Sequence, residues 1–163
     1  MSARGVRKAV GVLRRGGIVS YATEYCFGLG CDPWNRRAVL RLLRLKRRSL
    51  KKGLILLAAD PQQLAPYTAE IPPKVLATWP GPHTWLVARN PSAPGWIGGG
   101  RSSVAVRVTA HPQAVALCRT ARIAIVSTSA NRAGQAPARS IARWHGASGV
   151  RSITCCRDGW ATP

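Results

Sequence analysis

The sequence predicts one mixed α/β domain. Helix-like and strand-like apolar spacings alternate along the chain, the strand-like runs end in polar clusters at loops, and 163 residues of which 46% are hydrophobic suffice for a substantial core. A chain of this length buries roughly two thirds of its unfolded surface, so neither disorder nor a disulfide-dependent miniprotein is expected. No internal repeat or long low-complexity linker interrupts the pattern.

The elements follow in order. Val6, Val10 and Leu13 at helical spacing, with Gly16-Gly17 behind them, predict an amphipathic opening helix and a glycine stop. Ile18 to Tyr21 reads as a short buried strand. Asp32-Pro33 starts a helix whose apolar face is Val39, Leu42, Leu43 and Leu45, opposite Arg36, Arg37, Arg41 and Arg44; it delivers Lys46, Arg47 and Arg48 at its end. Gly53 to Ala59 suits a central strand, and Asp60-Pro61 begins a short helix. Pro72-Pro73, Pro80 and Pro82 break the next region into a helix and a turn before a strand over Thr84 to Ala88. Asn90 to Gly100 is a Pro/Gly-rich loop, and its Gly98-Gly99-Gly100 reads as a surface loop more than as a phosphate cradle. Val104 to Val108 is a strand, His111-Pro112 opens a helix through Cys118, and Ile123 to Val126 is a strand ending in Ser127-Thr128-Ser129. Ser140 to Trp144 and Val150 to Thr154 read as a last helix and strand.

Composition excludes several classes of function. No run approaches the ~20 apolar residues of a membrane span, and arginines scattered through the first 19 residues leave no signal-peptide core. A cytoplasmic protein is expected. Five cysteines, spread out except for Cys155-Cys156, fit neither a redox pair nor a zinc knuckle and read as reduced thiols. His83, His111 and His145 have no metal-ligand spacing, so no metal site of the protein's own is expected. The formal charge of +20 is carried mainly by 20 arginines against 5 lysines. Arginine forks onto phosphate and stacks on bases, so polyanion contact and a merely solvated basic surface both remain open.

Four polar segments could carry chemistry: Tyr21 to Gly30, Leu45 to Leu54, Trp79 to Thr84, and Ser127-Thr128-Ser129-Ala130-Asn131. The first sets a hydroxyl and a carboxylate beside a glycine-punctuated turn, the second gathers cations, and the last places hydroxyls and an amide at a strand end, the usual crevice of α/β sheets. Each has a plain structural reading as well. The basic run can compensate a helix dipole, Ser-Thr-Ser can cap or turn, and Thr23-Glu24 can cap a turn.

In their order and spacing these segments resemble the threonylcarbamoyl-AMP synthase family, the YrdC-like proteins. The family's pattern runs Tyr-Pro-Thr-Glu-Thr-x-Tyr-Gly-Leu-Gly, Lys-x-Arg, Trp-Pro-Gly-Pro-x-Thr and Ser-x-Asn, and the likeness spans about Gly16 to Ile141, including Val104 to Val108 and His111-Pro112. Ala22 and Ser49 stand where the family has prolines, Lys51 where many members have an acid, and Tyr25 where they have a small residue.

The resemblance implies an open twisted mixed sheet with flanking helices around a concave basic cavity, as one YrdC-like domain over 1–163 shortened at its C-terminus. It implies condensation of L-threonine, bicarbonate and ATP to threonylcarbamoyl-AMP and pyrophosphate, for modification of adenosine 37 of tRNA in concert with a threonylcarbamoyl-transferase machinery. ATP would be held by Lys46, Arg48, Lys52, Ser129, Asn131 and Ser140, and threonine by Thr23, Arg107, Ser127 and Thr84. Magnesium would come with ATP, no covalent nucleophile is required, and the absence of a G-x-x-x-x-G-K-S/T loop makes the nucleotide site non-Walker. A second reading is a non-catalytic paralogue that binds structured RNA (double-stranded RNA, tRNA or rRNA) through its arginines.

Overall fold

The computed structural model describes residues 2–131, Ala136 and the strand Thr154–Cys155. Helix α1 (Ala3–Arg14) begins where the Ser2 hydroxyl accepts the Gly5 N–H, and it buries Val6, Ala9, Val10 and Leu13. Gly16, at φ 71°, ends it. Strand β1 (Val19–Ala22) and strand β2 (Phe27–Cys31) form an antiparallel hairpin with Tyr21 opposite Gly28.

The glycines of β2 are thus strand residues and not a ligand-cradling turn. A Cβ on Gly30 would stand 2.9 Å from the Tyr21 ring and 2.7 Å from the Val126 carbonyl oxygen, and one on Gly28 would stand 3.3 Å from the same ring. The tyrosine takes the room that the absent side chains leave.

Helix α2 (Arg36–Lys46) is capped by Asn35, whose side chain accepts the Ala38 N–H. Asp32-Pro33 therefore lies one turn before the helix; Asp32 instead accepts the Trp34 N–H. A short 3-10 turn over Leu50–Lys52 leads into β3 (Ile55–Ala58), and another over Pro61–Leu64 follows it. Then come α3 (Pro73–Leu76), the cis peptide Trp79-Pro80, and β4 (Trp85–Ala88). One turn of helix, α4 (Gly95–Gly98), interrupts the stretch expected to be loop, with Ile97 fully buried. Strand β5 (Ser103–Val108), helix α5 (Pro112–Ala121) and strand β6 (Ile125–Ser129) follow, with β7 (Thr154–Cys155) last. The expected helix over 140–144 lies outside the described residues, and of the strand expected over 150–154 only Thr154 is described, as the first residue of β7.

The strands make one mixed sheet in the order β4-β5-β3-β6-β2-β1-β7. β3 runs parallel to β5 and β7 parallel to β1; every other pair is antiparallel. Strand alternation sends Leu29, Leu56, Val106 and Val126 to one face, against Val39, Leu42 and Leu43 of α2 and Ile97 of α4. Val19, Tyr21, Leu57 and Ile125 go to the other, against α1 and α5. The helices thus flank both faces of an open sheet. Among the described residues no helix is long and apolar enough to cross a membrane, and Cys31 and Cys118 are buried thiols outside any disulfide.

Candidate functional site

Strand β6 starts apolar and ends polar, and the site lies at its polar end. Ser127 and Ser129 share a face with Ile125, but α1 and α5 pack over Ile125 and not over the serines. The uncovered ground is a cavity of about 240 Å³ lined by Thr23, Tyr25, Arg48, Arg107, Ser127 and Ser129, with Gly28, Ile55 and Leu57 among its other walls. Pairing fixes the layout. Ser127 lies opposite Ile55 on one side and Gly30 on the other, Ser129 lies opposite Gly28, and Arg107 lies opposite Leu57.

Lys46 is the last residue of α2, four positions after Leu42, and so falls on the buried side of the helix; it is 3% exposed. Its ammonium donates to the Ser129 backbone oxygen and to Asn131 Oδ1 at 3.0 Å, with Ser129 Oγ at 3.5 Å. Ser129 Oγ in turn donates to Asn131 Oδ1 at 2.6 Å. Lys-x-Arg and Ser-x-Asn, 83 to 85 residues apart in the chain, are therefore one hydrogen-bonded unit. Burial, helped by the positive charge of Arg48, lowers the Lys46 pKa to about 8.

The chain then turns sharply at Arg47, which has φ 51°. That turn brings Arg48 to the cavity wall, where its Nη2 donates to the Gly53 carbonyl at 3.1 Å. Its buried Nε has no hydrogen-bond partner among the described residues.

The other wall is the β1-β2 hairpin. The Thr23 hydroxyl and backbone N–H both donate to the Cys26 carbonyl, at 2.7 and 3.1 Å, which closes the turn and leaves Tyr25 at its tip, 66% exposed. Glu24 points toward the end of β5. Its Oε1 accepts from the Thr109 hydroxyl at 2.5 Å and the Ala110 N–H at 3.1 Å, and its Oε2 lies 3.6 Å from Arg107 Nη1. Burial alone would raise the Glu24 pKa. The Thr109 hydroxyl, the backbone N–H groups of Glu24 and Ala110, and the charge of Arg107 outweigh that and lower it. Arg107 Nε donates to Thr84 Oγ1 at 2.8 Å, so the guanidinium is held from two sides.

Of the expected site residues, Thr23, Arg48, Arg107, Ser127 and Ser129 line this cavity, and Lys46 and Asn131 are bonded to Ser129 at its edge. Among the described residues, Thr84 reaches the site through its hydrogen bond from Arg107. Lys52 is exposed on a smaller neighbouring cavity. Ser140 lies outside the described residues. From sequence Glu24 is a carboxylate in a polar segment with no partner assigned, and Thr109 has no place; the available signal was an acid beside Thr23 in a chain with only five acids, and a threonine directly after an alternating strand. Among the described residues no group of three or more His, Cys, Asp or Glu could hold a metal.

An open α/β domain whose strand-end crevice joins a buried lysine, two arginines, hydroxyls and an amide is a binding domain for anionic substrates. Residues 11–147 match the model of the Sua5/YciO/YrdC family, described as "Telomere recombination", and the chain belongs to that family. It is 57% identical over 137 residues to a threonylcarbamoyl-AMP synthase of Alkalilimnicola ehrlichii, a match covering 83% of this chain and 72% of the relative. A synthase of the same name from Halorhodospira halophila is 53% identical over 141 residues, covering 84% and 74%. In structure, the chain is similar to P. abyssi Sua5 complexed with L-threonine, with a TM-score of 0.85 and 32% identity over 92% of this chain and 45% of that one.

Proposed function

We propose that this chain is a threonylcarbamoyl-AMP synthase that condenses L-threonine, bicarbonate and ATP and releases pyrophosphate. The observation that carries the reading is the buried Lys46 ammonium, bonded to Ser129 and Asn131 at the edge of a cavity that Arg48, Arg107 and Thr23 also line. The names of the relatives and the threonine-bound Sua5 structure agree with it.

In this reading bicarbonate takes up a proton and loses water to give carbon dioxide, and the threonine amine adds to that carbon dioxide and loses a proton to become a carbamate. A carbamate oxygen then attacks the α-phosphorus, the bond from that phosphorus to the bridging oxygen breaks, and pyrophosphate leaves with the electron pair. Both reactants are anions, so the protein's task is to hold them together and offset their charge. Lys46 and Arg48 take the phosphates, with Lys52 a further cation, while Ser129 and Asn131 orient Lys46 and the reacting groups. Arg107 suits the threonine carboxylate because its planar fork is already oriented by Glu24 and Thr84. Thr23, Ser127 and Thr84 shape that end of the site. Magnesium is carried by the ATP phosphates. The product is labile and would pass to a transferase acting on adenosine 37 of tRNA.

The test is pyrophosphate release from Mg-ATP by the full chain with bicarbonate and L-threonine, against L-serine, no amino acid, and a Lys46→Ala variant. Release that needs threonine and falls at least ~100-fold in the variant is expected. A folded, ATP-binding protein that releases none overturns the reading.

A groove of about 520 Å³ lined by Arg15, Arg37, Arg41 and Arg44, away from this site, supports a second reading, the docking of structured RNA through its phosphates.

A further inference from the structure

The tip of the β1-β2 hairpin is pinned on both sides of one residue. Before it, Glu24 accepts from the Thr109 hydroxyl and the Ala110 N–H and faces Arg107. After it, the Cys26 carbonyl accepts from both the hydroxyl and the backbone N–H of Thr23. The residue so fixed is Tyr25, which stands where the family pattern has a small residue. Its backbone is placed by its neighbours' bonds, yet the residue is 66% exposed. Such a large apolar surface left in water is costly to keep unless something covers it.

Exposed as it is, Tyr25 walls the site cavity, as the one aromatic among the described residues that line it. Thr23 and Tyr25 both face this cavity, while Glu24 between them turns to the end of β5. Consecutive Cα atoms are about 3.8 Å apart, so Tyr25 is anchored one step from the residue that orients Arg107. Ile55 and Leu57 line the same cavity from β3, and Leu57 lies opposite Arg107 in the sheet. This end of the cavity therefore offers a guanidinium fork with apolar surface on two sides, the floor of β3 and the hairpin tip.

A carboxylate seated on Arg107 leaves the side chain of its amino acid to be positioned by the walls. Threonine and serine share a hydroxyl and differ by one methyl, and the methyl gains from contact with a ring and two aliphatic side chains where a hydrogen atom does not. We propose that Tyr25 is a specificity-determining residue, its ring closing the Arg107 end of the cavity over the side chain of the amino-acid substrate and selecting threonine over serine through the methyl group. The identity of the amino acid rests on the synthase reading; the contact itself rests on the pinned hairpin tip and the cavity that Tyr25 shares with Arg107.

The test is pyrophosphate release by the full chain, as wild type, Tyr25→Ala and Tyr25→Phe, with L-threonine and separately with L-serine. The ratio of kcat/KM for threonine to that for serine is expected to fall about 10-fold in Tyr25→Ala, as for loss of one methyl contact, and to stay within twofold in Tyr25→Phe, which keeps the ring. The KM for ATP should stay within twofold in both variants. An unchanged ratio in Tyr25→Ala overturns the proposal, as does a KM for ATP that rises as much as that for threonine, which would put the ring on the nucleotide. Calorimetric titration with L-threonine reads the same contact without turnover. A wild type that binds threonine about 10-fold more tightly than Tyr25→Ala but releases no pyrophosphate overturns the synthase reading and leaves the Tyr25 contact standing.

Discussion

Helix α2 carries two kinds of cation. Arg36, Arg37, Arg41 and Arg44 stand on its exposed side, where water screens them, while Lys46 ends the helix on the buried side, 3% exposed and bonded to Ser129 and Asn131. The formal charges are alike and the energetics are not. An exposed arginine exchanges one set of water contacts for another at little gain, whereas a lysine taken out of water pays desolvation and is tolerated only where oxygen acceptors converge. The difference teaches where to look in a chain of net charge +20: the informative cation is the one that burial has made expensive.

The sharpest way to break the comparison is pH. A pKa lowered to about 8 means that Lys46 loses its proton within the working range. Its charged form in the fold is penalised below pH 8, and the penalty relaxes as pH rises toward the ordinary value of 10.5. We expect kcat/KM for ATP to fall above about pH 8, and Lys46→Met to lower it ~100-fold or more with no such limb and little loss of thermal stability. An alkaline limb that survives in Lys46→Met assigns the titration to another group.

A smaller effect is expected at Glu24, whose lowered pKa places its contribution to stability above its ordinary value of 4.5, with loss as pH falls through the lowered one. Glu24→Gln keeps an acceptor for Thr109 but removes the charge facing Arg107. The KM for L-threonine should rise about 10-fold with that for ATP within twofold, and the variant should lack this part of acid destabilisation, read by steady-state kinetics and by unfolding against pH. Equal changes in both KM values would separate Arg107 from threonine.

The smallest effect belongs to the exposed side of α2. The double variant Arg37→Ala, Arg44→Ala should keep synthase activity within about twofold and its thermal midpoint within a few degrees, while lowering affinity for structured RNA and its salt slope if the groove holds phosphates. A large loss of activity would erase the distinction between the two kinds of cation.

Much of this was legible in the sequence because the signals are local. Val6, Val10 and Leu13 predict the buried stripe of α1, and Val104, Val106 and Val108 the alternation of β5. β2 was hidden because Gly-Leu-Gly reads as a turn until Tyr21 is seen to fill the vacancies, and α4 was hidden in a segment rich in proline and glycine. At the site, Ser127, Ser129 and the basic run were visible as polar clusters at element ends. That Lys46, and not Arg47, goes inward follows from the helical spacing after Leu42, but its acceptors come from 83 to 85 residues further on. Glu24 finds Thr109 across 85 residues, a contact that no periodicity announces.

The Tyr21 ring against Gly28 and Gly30 also acts as a ratchet tooth. A slip of one residue between β1 and β2 would turn the ring onto the face of Leu29, where there is no vacancy to receive it. Because Thr23 and Glu24 lie at the end of that hairpin, the same tooth meters how far they reach toward Ser129 and Arg107. A packing detail inside the core thus sets the gauge of the cavity.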